Sequence, residues 1–137
     1  MNQNVTTLKN GLRVATDTIH SVETVTLGVW VGAGSRHESL HNNGVAHFLE
    51  HMAFKGTAQR SALDIAQSIE NVGGYMNAYT SRESTAYYVR VLKNDVELAL
   101  DILADILQNS TFEPKELERE REVILQEIGQ TQDTPDD

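Results

Sequence analysis

The residues with the most chemical content sit close together: His47, Glu50 and His51 in the run His47-Phe48-Leu49-Glu50-His51. On a helix, residues four apart stand one turn apart on the same face, so both imidazoles can reach one ion. Glu50 falls beside them, where a carboxylate can take a proton from a water held by that ion. At about 100° per residue, Val45, Phe48, Leu49, Met52 and Ala53 fill one broad arc, and His47, Glu50 and His51 fill the opposite one. Such a helix has one face for packing and one for chemistry.

Taken alone, two histidines at this spacing would read as an ordinary solvated face. The acid between them changes the reading, because His-x-x-Glu-His is the inverted form of the zinc-hydrolase signature. Two imidazoles leave the site incomplete, since catalytic zinc takes three protein ligands and keeps one position open. The sequence has no cysteine, so the third ligand must be a histidine or a carboxylate. The acidic segment near the C-terminus offers Glu116, Glu118, Glu120, Glu122 and Glu127. There Leu117, Ile124 and Ile128 form an apolar stripe, with Glu120 and Glu127 on its shoulder around Val123. Inward-facing carboxylates are costly unless paired or bound to metal. Glu120 and Glu127 lie on one side of the helix, about two turns apart. Either could ligate while the other serves behind it. Glu118 and Glu122 read as a solvated face, and His20, His37 and His41 as surface side chains in loops.

The elements that must position these groups can be read in order. Residues 5–8 and 12–16 flank Asn10-Gly11, a hairpin signal in which both turn residues are expected at positive φ. Alternation over residues 24–31 predicts a strand, followed by a loop over 32–42. Asn43 is the expected N-cap of a helix to about Phe54, with Gly56 just beyond. Ser61 caps a second helix to about Asn71 that carries Leu63, Ala66 and Ile69, and Gly73-Gly74 breaks it. Two strands, 75–80 and 84–92, turn near 81–83, with Tyr87, Val89 and Val91 on one face. Asn94 with Glu97 resembles a capping box, opening a helix to about Gln108 that carries Val96, Leu100, Leu103 and Leu107. Pro114 suits the first turn of a last helix to about Gln130, and residues 134–137 read as its exit. The fold class is α+β: an antiparallel sheet with helices packed on one side.

The chain has 137 residues, enough for one domain, and a formal net charge of −9. That balance argues against nucleic-acid and anionic-membrane partners and permits a cationic one. The lack of cysteine excludes a disulfide framework. No apolar run approaches the ~20 residues of a membrane span. Residues 1–4 show neither an apolar signal core nor an Arg-rich presequence.

The run His47 to Thr57, HFLEHMAFKGT, resembles the zinc-binding helix of the pitrilysin/insulinase-type (M16) metallopeptidases. Within that family it is similar to the mitochondrial processing peptidase β-type subunits and their bacterial relatives. LKNGLRVATD, GGYMNAYTSRESTAYYV and ELEREREVILQEI match as well, so the resemblance covers essentially the whole chain. It implies that His47, His51 and Glu127 ligate Zn2+, with Glu50 as catalytic base and Glu120 as a supporting acid. It implies too that Asn77 and Ala78 hold a substrate peptide along a sheet edge by strand addition. Residues 1–137 would then be the N-terminal zinc-binding part of an M16-type αβ domain, with a C-terminal remainder absent. The implied activity is a zinc-dependent endopeptidase acting on peptides or unfolded polypeptides. It would need the missing domain or a partner subunit, so this segment alone is expected to be inactive or weak. The alternative is a non-catalytic peptide-binding or scaffold subunit of the same family. The expected location is the bacterial cytoplasm, with the mitochondrial matrix as alternative.

Overall fold

A computed structural model describes residues 2–134. Strands β1 (Asn2–Thr7) and β2 (Arg13–Thr18) pair antiparallel as a two-stranded sheet of their own. Their connection differs from the expected two-residue turn. Gly11 donates to Leu8 O at 2.9 Å, Leu8 N–H donates to Leu12 O at 2.8 Å, and Gly11 alone takes a positive φ, of 89°. This is a tight turn closed by a glycine bulge, which leaves Asn10 free to cap Leu12 N–H with its side chain at 3.1 Å. The register sets Val5 opposite Ala15 and Thr6 opposite Val14. Neither face therefore gathers enough apolar surface to join the core, and every residue of both strands is exposed.

The main sheet has the order β3-β5-β4, from β3 (Thr24–Val31), β4 (Tyr75–Thr80) and β5 (Thr85–Leu92), all antiparallel. Because side chains alternate across a sheet, one parity faces inward. Leu27, Met76, Ala78, Tyr87, Val89 and Val91 lie on that side. Trp30, Tyr75 and Tyr79 lie on the other and are exposed. Helices α1 (Val45–Ala53), α2 (Ala62–Glu70) and α3 (Val96–Gln108) close over the inner face, and α4 (Pro114–Asp133) packs against α1. The α+β arrangement with helices on one side is the one expected.

Three local expectations are corrected. α2 is capped by Ser61, in a capping box with Asp64, but it buries Ile65 and Ile69 and leaves Leu63 and Ala66 exposed. α3 turns Ala99, Ile102, Leu103 and Ile106 inward and Leu100 outward. The Asn94–Glu97 cap does not form; a 3-10 turn over Lys93–Asp95 leads directly into α3. In each case the helical phase is set by contact with β5 and its neighbours, and spare leucines go to the solvent side. α4 runs three residues past the expected end. Of its expected exit, Thr134 is its C-cap and residues 135–137 lie outside the described residues.

The loop after α1 is tied to the segment that launches α4. Ala58 N–H donates to Asn109 O and Thr111 N–H to Gly56 O, both at 3.2 Å. Thr57 Oγ1 donates to Asp105 Oδ2 at 2.8 Å, and Arg60 Nη1 donates to the same oxygen at 2.7 Å. Asn109 Nδ2 reaches Asp105 Oδ1 at 2.9 Å. Burial opposes the Asp105 charge, but the hydrogen bonds from Asn109, Thr57 and Arg60, with the Arg60 charge, outweigh it and hold its carboxyl below the ordinary value. A depressed carboxyl stabilises the fold above its unfolded pKa of about 3.9, and that contribution is lost as pH falls through the folded value. Asp105→Asn is expected to lower the unfolding free energy by about 1.5–3 kcal/mol at neutral pH, the range for hydrogen bonds to charged groups. Denaturant titrations should show the gap between variant and parent closing toward acid pH.

Candidate metal centre

The site is built where α1 lies along α4. The start of α1 is set by Gly44, whose φ of 90° is a left-handed conformation that costs glycine little. The expected cap, Asn43, does not serve. The Glu38 carboxylate instead accepts from Gly44 N–H and Ala46 N–H, each at 2.7 Å. These bonds from Ala46 and then Gly44 hold the Glu38 carboxyl below its usual value against a small cost of burial. A carboxylate at a helix N-terminus satisfies otherwise orphaned donors and favours the dipole.

On the α1 face turned to α4, His47 Nε2 and His51 Nε2 are 3.2 Å apart, with the rings nearly perpendicular at 87°. Glu127 Oε2 lies 3.5 Å from His47 Nε2 and 3.6 Å from His51 Nε2. Three donor atoms thus form a nearly equilateral triangle. Zinc–nitrogen and zinc–oxygen bonds of about 2.0–2.1 Å in tetrahedral array set ligand atoms about 3.3–3.4 Å apart, so the donor set fits that ion in both chemistry and spacing. The triangle opens onto a groove of ≈ 540 Å³ lined by His47, Glu127, Ile128, Thr131 and Gln132.

Glu120 occupies a different place. Its side chain is 7% exposed, against 46% for Glu127. Glu120 Oε2 takes a 2.9 Å hydrogen bond from His51 Nδ1, on the side of the ring away from the triangle. Burial opposes its charge, yet the hydrogen bonds from Lys55 and His51 and the Lys55 charge hold its carboxyl below the ordinary value. With Nδ1 carrying the proton toward Glu120, His51 Nε2 keeps its lone pair for the triangle. The wheel left Glu120 and Glu127 as equivalents; in the structure one lies behind a histidine and the other beside both.

Glu50 Oε2 accepts a 2.5 Å hydrogen bond from Thr80 Oγ1 at the end of β4. Burial, and after it the nearby Glu50 charge, push the Tyr87 phenol up. Asn77 and Ala78 lie on β4, an outer strand paired only with β5 among the described residues. Ala78 N–H donates to Asn77 Oδ1 at 2.8 Å, and Asn77 Nδ2 donates to the Tyr75 hydroxyl at 2.7 Å.

The insulinase (peptidase family M16) model matches residues 13–137. The chain belongs to peptidase family M16. It is 56% identical over 133 residues to a probable mitochondrial-processing peptidase subunit beta of Arabidopsis thaliana, covering 97% of this chain and 25% of that protein. The rat mitochondrial-processing peptidase subunit beta is 56% identical over 128 residues, covering 93% of this chain and 26% of the relative. The uncharacterized zinc protease YmxG of Bacillus subtilis is 48% identical over 131 residues, covering 96% of this chain and 32% of the relative. The crystal structure of a protease from Helicobacter pylori superposes with a TM-score of 0.87 at 29% identity, covering 92% of this chain and 30% of that one. This M16 chain thus spans between a quarter and a third of the length of these relatives. Among the described residues no helix is long and apolar enough to cross a membrane.

Sequence reasoning missed three residues that touch these groups: Glu38 at the start of α1, Thr80 on Glu50, and Lys55, whose Nζ lies 2.5 Å from Glu120 Oε1. Glu38 and Thr80 carry no local signal, because only the folded topology brings them to α1. Lys55 stood within the quoted HFLEHMAFKGT run and could have been paired with the inward Glu120.

Proposed function

We propose that this chain carries the metal-binding half-site of a zinc endopeptidase. The observation that supports this most is the triangle of His47 Nε2, His51 Nε2 and Glu127 Oε2, with sides of 3.2, 3.5 and 3.6 Å. These three residues would hold the ion. A bound zinc would supply Lewis acidity, bringing the pKa of a water toward ~7 and polarising the scissile carbonyl. Glu50 takes the proton from the attacking water and later returns it to the leaving amine. Thr80 fixes one Glu50 oxygen and so orients the carboxylate for that transfer. Glu120 keeps the His51 ring turned and in one tautomer.

The substrate in this reading is an extended peptide or unfolded polypeptide that pairs with the outer edge of β4. Asn77 and Ala78 lie on that edge, and β4 ends at Thr80 beside Glu50, so a paired peptide would be led toward the base. Blocking a pairing amide of the peptide by N-methylation should weaken its binding about 2–10-fold per lost hydrogen bond. Equal binding of methylated and plain peptides would argue against strand addition.

Cleavage needs the segment or partner subunit that completes the enclosure, so these 137 residues alone turn over peptides poorly. The bacterial cytoplasm is the proposed compartment, with the mitochondrial matrix as alternative. In the intact protein, a chelator should abolish peptide cleavage and added zinc should restore it. Cleavage that persists after complete metal removal would refute the proposal. A metal-free protein that binds peptides without cutting them would identify the scaffold alternative.

A further inference from the structure

We propose that Lys55 is a positioning residue of the metal centre: its ammonium fixes the buried Glu120 carboxylate, which in turn fixes the tautomer and orientation of the His51 ring. The inference rests on the metal role proposed for His51. Lys55 follows directly on Phe54, the C-cap of α1, so the residue just past the end of the histidine helix reaches across to α4. Its Nζ lies 2.5 Å from Glu120 Oε1, and the other oxygen, Oε2, lies 2.9 Å from His51 Nδ1. The two carboxylate oxygens are divided between one cation and one ring. Glu120 is the sole buried residue of α4, an uncommon place for a carboxylate unless it is paired. Among the described residues, Lys55 is the only ammonium or guanidinium within ion-pair distance of it.

The geometry makes the ion pair more than a tie between helices. Held at one oxygen by Lys55, the carboxylate has a single orientation in which to meet His51 Nδ1–H. That bond decides which ring nitrogen carries the proton, and therefore that Nε2 presents its lone pair to His47 and Glu127. Without the ammonium, Oε1 is left buried and unpaired. The carboxylate then turns toward solvent, and the imidazole loses the partner that selects its tautomer. The Lys55 side chain is 32% exposed, so a methionine retaining the stem can occupy its place without opening a cavity.

The test compares Lys55→Met and Lys55→Arg with the parent in the intact protein. Histidine 15N spectra of the metal-free protein report the His51 tautomer without reference to zinc. Competition with a chromophoric chelator reports zinc affinity. The parent should show His51 as the Nδ1–H tautomer. Lys55→Met should show mixed tautomers and a zinc Kd raised about 10–100-fold, the range for outer-shell partners of ligating histidines. Lys55→Arg should recover most of both. In a Glu120→Gln background, Lys55→Met should add little, since the path is already cut. A Lys55→Met protein with the parent tautomer and a Kd within about twofold would overturn the proposal. So would mixed tautomers in the parent, or losses that add in full in the double variant. If the parent takes up no zinc, the metal reading fails, while the tautomer comparison still decides the role of Lys55.

Discussion

Glu50→Gln is expected to lower kcat for peptide cleavage by about 10²–10⁴-fold in the intact protein, the usual contribution of a general base. The change is isosteric, and the glutamine carbonyl can still accept from Thr80 Oγ1, so the local fold should persist. What is lost is the capacity to hold a proton between attack on the carbonyl and departure of the amine. Glu50 is not a corner of the donor triangle, so zinc content should remain that of the parent. KM should move little if, as proposed, the substrate pairs along β4 and not with Glu50. Steady-state kinetics together with elemental analysis check both halves. Unchanged turnover would remove Glu50 from the role of base, and loss of zinc would make it a ligand.

The second large effect concerns the triangle itself. Glu127→Ala and His51→Ala should each weaken zinc binding by more than the about 10–100-fold expected for an outer-shell change. The two should differ in stability. Glu127 is half-exposed, and beyond the two rings its side chain touches the groove, so its removal costs the fold little. His51 is the partner of the buried Glu120, and its removal leaves Glu120 Oε2 without its donor. His51→Ala should therefore lower the unfolding free energy as well, by about 1–3 kcal/mol. Zinc titration and denaturant unfolding of the same preparations separate the two consequences. Equal zinc affinity in parent and Glu127→Ala would remove Glu127 from the set.

Much of this was legible before any coordinates. The His47-x-x-Glu50-His51 spacing, the placing of Glu120 and Glu127 on one side of α4 and the strand alternation each depend on local periodicity, which a sequence displays directly; the apolar stripe read beside them is not buried, since Val123 and Ile128 are exposed and Glu120 alone is enclosed. The phases of α2 and α3 were not legible, because each helix carries more apolar residues than one face can bury. Leu63 and Leu100 lose to Ile65 and Ile102 only once the helices meet the sheet. The turn at Asn10-Gly11 also hid its form, since Asn-Gly is compatible with more than one short connection and only the pairing of Leu8 with Leu12 selects the bulged one. At the site, the difference between Glu120 and Glu127 is one of depth. A helical wheel places both on one side and says nothing of which histidine nitrogen each meets. Glu38 acts across a loop, where no period exists to reveal it.

Convergence of His47, His51 and Glu127 on one divalent cation can be seen by anomalous diffraction at the zinc edge from crystals grown with zinc. One strong peak is expected about 2.0–2.2 Å from His47 Nε2, His51 Nε2 and a Glu127 oxygen, with Glu120 outside that distance and bonded to His51 Nδ1. A peak bound by Glu120 in place of Glu127, or no peak between the two rings at saturating zinc, would contradict it.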